Sequence, residues 1–468
     1  MRTATAFLVL LVGGCAAGPD YERPAAPAPG TFREIPAGWK EAEPRDEIAR
    51  GRWWELFGDA ELNALAERVE SGNYSVAAAA ARYRAAQAAV AISRSGLFPT
   101  VDADASVTRS RSPRGAIGGT TAGRHFTNFS AGVSASWEVD LWGRVRRDLE
   151  AAGAEAEASA ADLAAARLSL QAELATSYFR LRLLDVQKRL LEDTAAAFAR
   201  ARELTENRYR AGVAARGDVV QADAQLKSAA AQALDLGVER AQLEHAIAIL
   251  AGLPPSELTI APRPDYTAAL PPIPPGLPSA LLERRPDVAA AERRVAAANA
   301  RIGVAQSAYF PQLLLSASLG YRSSEAASWL SAPSRFWSLG PALAQSLFDA
   351  GLRRAQGEQA LALYDATVAD YRQVTLSAIA EVEDNLAALR ILGEEAGLQE
   401  AAVRAAQESL RITLNQYRAG TVGFLDVVQV QTALLEEQRA SANLLNRRLA
   451  ATVALVRALG GGWQQAQP

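Results

Sequence analysis

The chain has few of the residues on which most protein chemistry depends. Its 468 residues include one Cys, one Met and two His. One Cys excludes a disulfide framework, and this small set leaves no soft-metal or histidine-cluster site. His125 and His245 stand far apart with no partners at catalytic or metal-binding spacing, and the sequence has no nucleophile elbow, phosphate loop or zinc pattern. No enzyme activity, cofactor or metal is expected. Lys and Arg total 49 against 52 Asp and Glu, a net charge of −3, so there is no basic footprint for nucleic acid. Beyond the first residues, no stretch offers about 18 consecutive apolar positions. Any membrane crossing must therefore use β-strands.

The lone Cys sits where it matters. Arg2 is a minimal positive region, Ala4 to Val12 is a short apolar run, and Val12-Gly13-Gly14-Cys15 follows. A run this short reads as a secretory signal. Small residues before a Cys resemble the lipobox of bacterial lipoproteins, which implies removal of residues 1–14 and acylation of Cys15. The alternative is an ordinary signal peptide that happens to contain Cys. Ala16 and Ala17, rather than Asp, follow the Cys, which directs such a lipoprotein to the outer membrane.

The largest-scale feature is a duplication. Asn207-Arg208-Tyr209-Arg210-Ala211-Gly212 returns as Asn415-Gln416-Tyr417-Arg418-Ala419-Gly420, and Asp218-Val219-Val220-Gln221 returns as Asp426-Val427-Val428-Gln429. Gly143 and Arg146 match Gly351 and Arg354, and Gly252 matches Gly460, all at one offset of about 208 positions. Phe98-Pro99 matches Phe310-Pro311 with the offset changed by about four. The period is too long for a solenoid, so it marks a doubled domain.

Each copy predicts a helix, two strands, a long helix and a return helix. In repeat 1, residues 59–252, a helix over 60–94 ends at Phe98-Pro99. Val101, Ala103, Ala105 and Val107 alternate with polar residues, giving a strand at about 100–110. A loop rich in Gly, Ser and Thr follows over 111–124, and a second alternating strand at about 127–140. Repeat 2, residues 279–460, predicts strands at about 312–322 and 336–348, with Pro341 interrupting the latter. Residues 144–209 and 352–417 contain no Pro and predict two helices of about 100 Å. The turns at Gly212 and Gly420 follow. Return helices are predicted over 218–251 and 426–459, with Asp218 and Asp426 as N-caps. The opening and return helices together match one long helix in length, so they could stack end to end beside it as a wall of uniform height. Residues 15–58 predict a Pro-rich strap clamped by Trp53, Trp54, Leu56 and Phe57. Residues 253–278 form a Pro-rich linker, and 461–468 a tail.

Strands of 10–12 residues with one apolar and one polar face suit a membrane barrel, although a soluble sandwich alternates as well. Four strands cannot close a membrane barrel, for which eight is the practical minimum. The barrel reading therefore requires two or more copies.

The run Cys15-Ala16-Ala17-Gly18-Pro19-Asp20-Tyr21-Glu22-Arg23-Pro24 resembles the mature start of outer-membrane efflux lipoproteins of the TolC/OprM family, in its NodT-like branch. Trp53-Trp54-x-x-Phe57-x-Asp59, Arg285-Pro286-Asp287-Val288 and the paired tip turns are similar too. The resemblance implies a mainly α fold with membrane β. It implies a homotrimer that combines a twelve-strand barrel in outer-membrane lipid with a periplasmic α-helical tunnel. The implied partners are a periplasmic adaptor protein and an inner-membrane pump, usually of the resistance–nodulation–division (RND) type. The implied function is passive efflux of small molecules; the alternatives are type I protein secretion and a lipid-anchored coiled-coil scaffold.

The resemblance also implies a gate at the tips. Asp426 would be a ring carboxylate, with Gln429 where the family has a second ring acid. Tyr417 would bond Asp218, and a family Arg of this lock falls at Val422. On the residues alone, Asp218 and Asp426 need be only N-caps and Tyr417 only a packed turn residue. Arg144, Arg146 and Arg147, with Arg353 and Arg354 in the second copy, crowd helix N-termini against the macrodipole. They are expected to meet lipid phosphates or acidic lumen groups, or to be a solvated charge run.

Overall fold

The computed structural model describes residues 16–27, 31–34, 52–111, 125–271 and 285–461. Cys15, the apolar run before it and most of the 111–124 loop lie outside these. The described elements are α1 (Ala60–Gly72), α2 (Tyr74–Ser95), β1 (Thr100–Arg111), β2 (His125–Val139), α3 (Arg144–Arg210), α4 (Arg216–Leu250), α5 (Pro286–Ser307), β3 (Gln312–Ser323), β4 (Arg335–Ala344), α6 (Leu352–Ala419) and α7 (Phe424–Ala458). Helices α3 and α6 run 67 and 68 residues, and each return helix 35. The helix expected over 60–94 is broken. Asn73 ends α1 and caps α2, its Oδ1 accepting from Ser75 N at 2.8 Å and Val76 N at 3.2 Å. Its Nδ2 donates to Leu250 O at 2.9 Å. The approach is close because a Cβ on Gly252 would lie 2.1 Å from Gly72 O.

The chain divides into two compact units, each assembled from both repeats. One comprises residues 1–25, 82–159 and 291–371; the other comprises 26–81, 160–290 and 372–468. The first holds an antiparallel sheet of order β1-β2-β3-β4. Register places most of each strand's apolar residues on one face: Val107 opposite Phe129, Val133 opposite Leu319, and Leu319 opposite Trp337; Phe126, Leu314 and Phe336 lie on the other. Asp102, Ser134, Ser318 and Ser338 share the other. β4 ends at Ala344, four residues short of its expected end. Pro341 lies inside it, opposite Leu315, and supplies no N–H to the sheet. At the strand bases, Trp142 stacks on Phe310 at 4.7 Å, and its Nε1 donates to Pro311 O at 2.8 Å.

Residues 16–23 lie in a seat on the same unit. Ala17 N donates to Trp142 O at 2.8 Å, and Asn299 Nδ2 to Pro19 O at 3.0 Å. Gly303 leaves room for it, since a Cβ there would meet Ala17 O at 2.6 Å. Tyr21 donates to buried Glu292, which also receives Arg293 and Arg23. Burial pushes the Glu292 carboxyl up, but these donors and cations outweigh it and hold the group below its ordinary value.

The second unit carries the main apolar core. Trp53, Trp54, Phe57, Leu62, Leu174, Phe179, Val382 and Val456 pack together, joined by Phe32. Beside it lies a buried ion lattice. Asp185 accepts from Arg182 Nη1 (2.9 Å), Arg240 Nε (2.7 Å) and Arg263 N (3.0 Å). Arg182 and Arg240 also donate to Ala261 O and Ile260 O, each at 2.7 Å, which fastens the start of the Pro-rich linker to α3 and α4.

Candidate functional site

The tips of the two helix pairs are built alike. After α3, Val213 N donates to Arg208 O at 2.9 Å across Gly212, whose φ is +76°. After α6, Thr421 N donates to Gln416 O at 3.0 Å across Gly420, at φ +81°. These are left-handed helix terminators, which explains a Gly at both repeats. The acids that follow are placed differently from expectation. Asp218 and Asp426 are not N-caps but sit three residues later. Asp218 Oδ2 accepts from Ala215 N at 3.3 Å, and Asp426 Oδ2 from Gly423 N at 2.9 Å. Each forms the reciprocal half of a capping box and places negative charge at a helix N-terminus. Asp426 and Gln429 are both exposed and one turn apart on α7.

Tyr417 is buried, but its hydroxyl does not meet Asp218. It lies 2.8 Å from Thr205 Oγ1. Thr205 already donates to Ala201 O at 2.8 Å, so Tyr417 is the donor. Arg208 donates to Tyr417 O at 2.7 Å and sets its guanidinium 4.7 Å over the ring. Phe424, Val427, Phe198 and Ala222 pack around it. The bond expected between Tyr417 and Asp218 is not present; Tyr417 instead meets Thr205 and Arg208. Arg208, on α3, is the arginine at this contact, and Val422 packs against the same cluster. One signal for it was in the sequence: within the repeated turn motif, Arg208 faces Gln416, and that divergence marks the Arg as specific to one copy. Tyr209, the counterpart of Tyr417, is exposed.

The arginines at the helix starts are answered within the chain. Arg144 forks onto Glu138 with two bonds of 2.8 Å. Asp140 accepts from Val145 N and Arg146 N, and Arg146 pairs with it at 3.3 Å. Arg147 reaches Asp20 and Glu150, each at 2.8 Å; Arg353 meets Asp349 and Arg354 meets Glu358. Asp140 and Asp349, which accept from the first helix amides, and the acids Glu138, Asp20, Glu150 and Glu358 neutralise the cations, so contact with lipid phosphate is not needed to account for them. Among the described residues no group of His, Cys, Asp and Glu could hold a metal ion, and no helix is long and apolar enough to cross a membrane.

Comparison with known proteins agrees with this architecture. A family model described as "Outer membrane efflux protein" matches residues 65–253 and 277–461. The pyoverdine export outer membrane protein OpmQ of Pseudomonas aeruginosa is 34% identical over 97% of this chain and 95% of its own length. The toluene efflux pump outer membrane protein TtgI of Pseudomonas putida is 31% identical over 98% of both. Among solved structures, the outer-membrane channel OprN superposes with a TM-score of 0.90 at 34% identity, covering 96% of this chain and 100% of that one. The open-state MtrE outer membrane channel of Neisseria gonorrhoeae gives 0.85 at 29% identity, covering 96% and 99%. This chain belongs to the outer membrane efflux protein family.

Proposed function

We propose that the chain is the outer-membrane duct of a tripartite efflux system and acts as a homotrimer. Its β-strands cross the outer membrane, its helices enclose a periplasmic passage, and its two tip turns gate that passage. The observation that carries this reading is the sheet: one mainly apolar face, one mainly polar face, and outer edges on β1 and β4 with no strand partner among the described residues. An apolar face suits lipid and a polar face suits a water-filled lumen, while open edges in hydrocarbon demand pairing with further copies. Three copies of four strands give a barrel of twelve. Cys15 carries the lipid anchor, and the seat occupied by Ala16–Arg23 supports that role by holding the residues after it against the base of the sheet. The passage receives small molecules from an inner-membrane pump of the RND type through a periplasmic adaptor. OpmQ and TtgI bear names with unrelated cargoes, and this chain is about equally similar to both, which fits selection by the pump.

The test is reconstitution. Detergent-extracted protein should migrate as a heat-sensitive trimer and open ion-conducting channels in planar bilayers. Deletion of its gene should sensitise cells to small toxic compounds. A stable monomer without conductance would overturn the reading.

A further inference from the structure

The proposed trimer leaves open how one copy's β4 meets the next copy's β1, and the internal duplication answers this at residue level. The bases of the two hairpins correspond. Thr100 pairs with Ser136 in the first, and Gln312 pairs with Ala344 in the second. Each first strand is preceded directly by Phe-Pro, Phe98-Pro99 or Phe310-Pro311. Each second strand reaches a left-handed Gly, Gly143 or Gly351, at the same number of steps from its base pair. β1 therefore maps onto β3, and β2 onto β4, with no slip.

The chain contains one junction between hairpins, β2 with β3, running from Phe129 opposite Ser323 to Val139 opposite Leu313. Transferring it through the duplication gives the missing junction. We infer that β4 of one copy pairs antiparallel with β1 of the next in a single register, from Trp337 opposite Arg111 to Leu347 opposite Val101. Leu343 then faces Ala105, and Ala342 faces Ser106. This inference rests on the proposed closure of the sheet by further copies.

Three independent features of the chain fit the register. First, faces match: Leu343, Pro341 and Leu347 meet Ala105, Val107 and Val101, with Gln345 opposite Ala103 the one polar rung among them, which excludes every odd shift. Second, the joint uses β1 from Val101 to its end at Arg111. It also extends β4 through residues 345–347, which lie beyond its last in-chain ladder pair. Leu347, three residues past that pair and on the apolar-face parity, is 91% exposed in the single chain. Third, Trp337, 73% exposed, receives the Arg111 guanidinium beside its ring, a favourable cross-strand pair at the strand end. A register shifted by two would set Arg111 against Leu339 and leave Trp337 without it.

Paired cysteines test the register. Directly opposite Cβ atoms lie about 4.5–5.5 Å apart, and positions shifted by two about 7–8 Å, which oxidation to a disulfide discriminates. Ala342→Cys with Ser106→Cys, and separately Ser338→Cys with Ser110→Cys, should convert most of the protein to covalent multimers. Ala342→Cys with Asp104→Cys, or with Thr108→Cys, should leave it mainly as single chains. Ser134→Cys with Ser318→Cys, opposite each other within the chain, should close without a mass increase and reports that the sheet is folded. The parent chain, with Cys15 retained, is the background. Cross-linking that favours a shifted pair overturns the register and leaves the trimer standing. Multimeric protein that cross-links in none of the pairs also overturns the register. Protein that is monomeric by native mass and cross-links in no pair overturns the trimer as well.

Discussion

Replacing Tyr417 by Phe together with Arg208 by Ala dismantles the contact between the two tips while leaving both turns intact. The phenol bonds a fully buried threonine whose own proton is committed to Ala201 O. Its loss leaves a desolvated acceptor, at about 1 kcal/mol. Arg208 contributes a charged hydrogen bond to a backbone carbonyl, about 1.5–3 kcal/mol, and a cation–ring contact, about 0.5–1 kcal/mol. These groups touch one another, so their effects do not add fully. Taking about 3 kcal/mol per chain, the balance between the tip arrangement seen here and a separated one moves roughly a hundredfold. Single-channel recording in planar bilayers reads this directly. The double variant should spend far more time in a high-conductance state, with each single variant in between. Asp218→Ala removes only a 3.3 Å contact to Ala215 N and should leave the recording nearly unchanged. A double variant indistinguishable from the parent refutes the lock, and an Asp218→Ala variant with the full effect refutes its assignment to Arg208 and Thr205.

Asn73→Ala removes a helix cap and the donor to the buried Leu250 carbonyl, so a loss of about 2–4 kcal/mol is expected in denaturant unfolding. Gly303→Ala would drive a methyl into Ala17 O and Arg147, costing about 1–3 kcal/mol and speeding hydrogen exchange at the Ala17 amide. Gly237→Ala, in the middle of α4 with open space around it, should instead stabilise by about 0.5–1 kcal/mol, read as a raised thermal midpoint. Seating of the Ala16–Arg23 segment should depend on pH through Glu292. Its folded pKa is depressed, so its contribution is complete at neutral pH and declines as pH falls below its ordinary value of about 4.5. Exchange at Ala17, corrected for intrinsic rate, should rise there, and Glu292→Gln should abolish that dependence.

The class of fold was legible because its signals are long. Period-two alternation over ten or more residues, and two Pro-free stretches ending in matched Gly turns, outweigh local ambiguity. What escaped were contacts between distant positions. Asn73 follows Gly72, a recognisable stop, but the Ala-rich run beyond it reads as continuous helix, and only the close approach of α1 to Gly252 explains the break. Asp218 and Asp426 looked like N-caps because an acid before an apolar run usually is one. Here Ala215 and Gly423 take that position, and the acids reach back to their amides. The partners of Tyr417 lie on another helix, far away in sequence, and only packing brings Thr205 and Arg208 to it. The helix-start arginines, by contrast, had Glu138, Asp140 and Asp349 beside them in the sequence, and weighing those acids would have resolved the puzzle.

The open edges of the sheet bear on how the protein is made and inherited. On β1 and β4, alternate residues turn N–H and C=O outward with no strand among the described residues to receive them. In hydrocarbon each such group costs several kcal/mol, so a lone chain faces a barrier on the order of tens of kcal/mol to insertion. Water satisfies the same groups at no such cost. The bilayer therefore admits only a completed ring, and association and insertion become one event. A chain damaged at a single edge would still recruit sound neighbours through its other edge and carry them into rings that cannot close. Such an allele should act dominantly in a cell that also makes the intact protein.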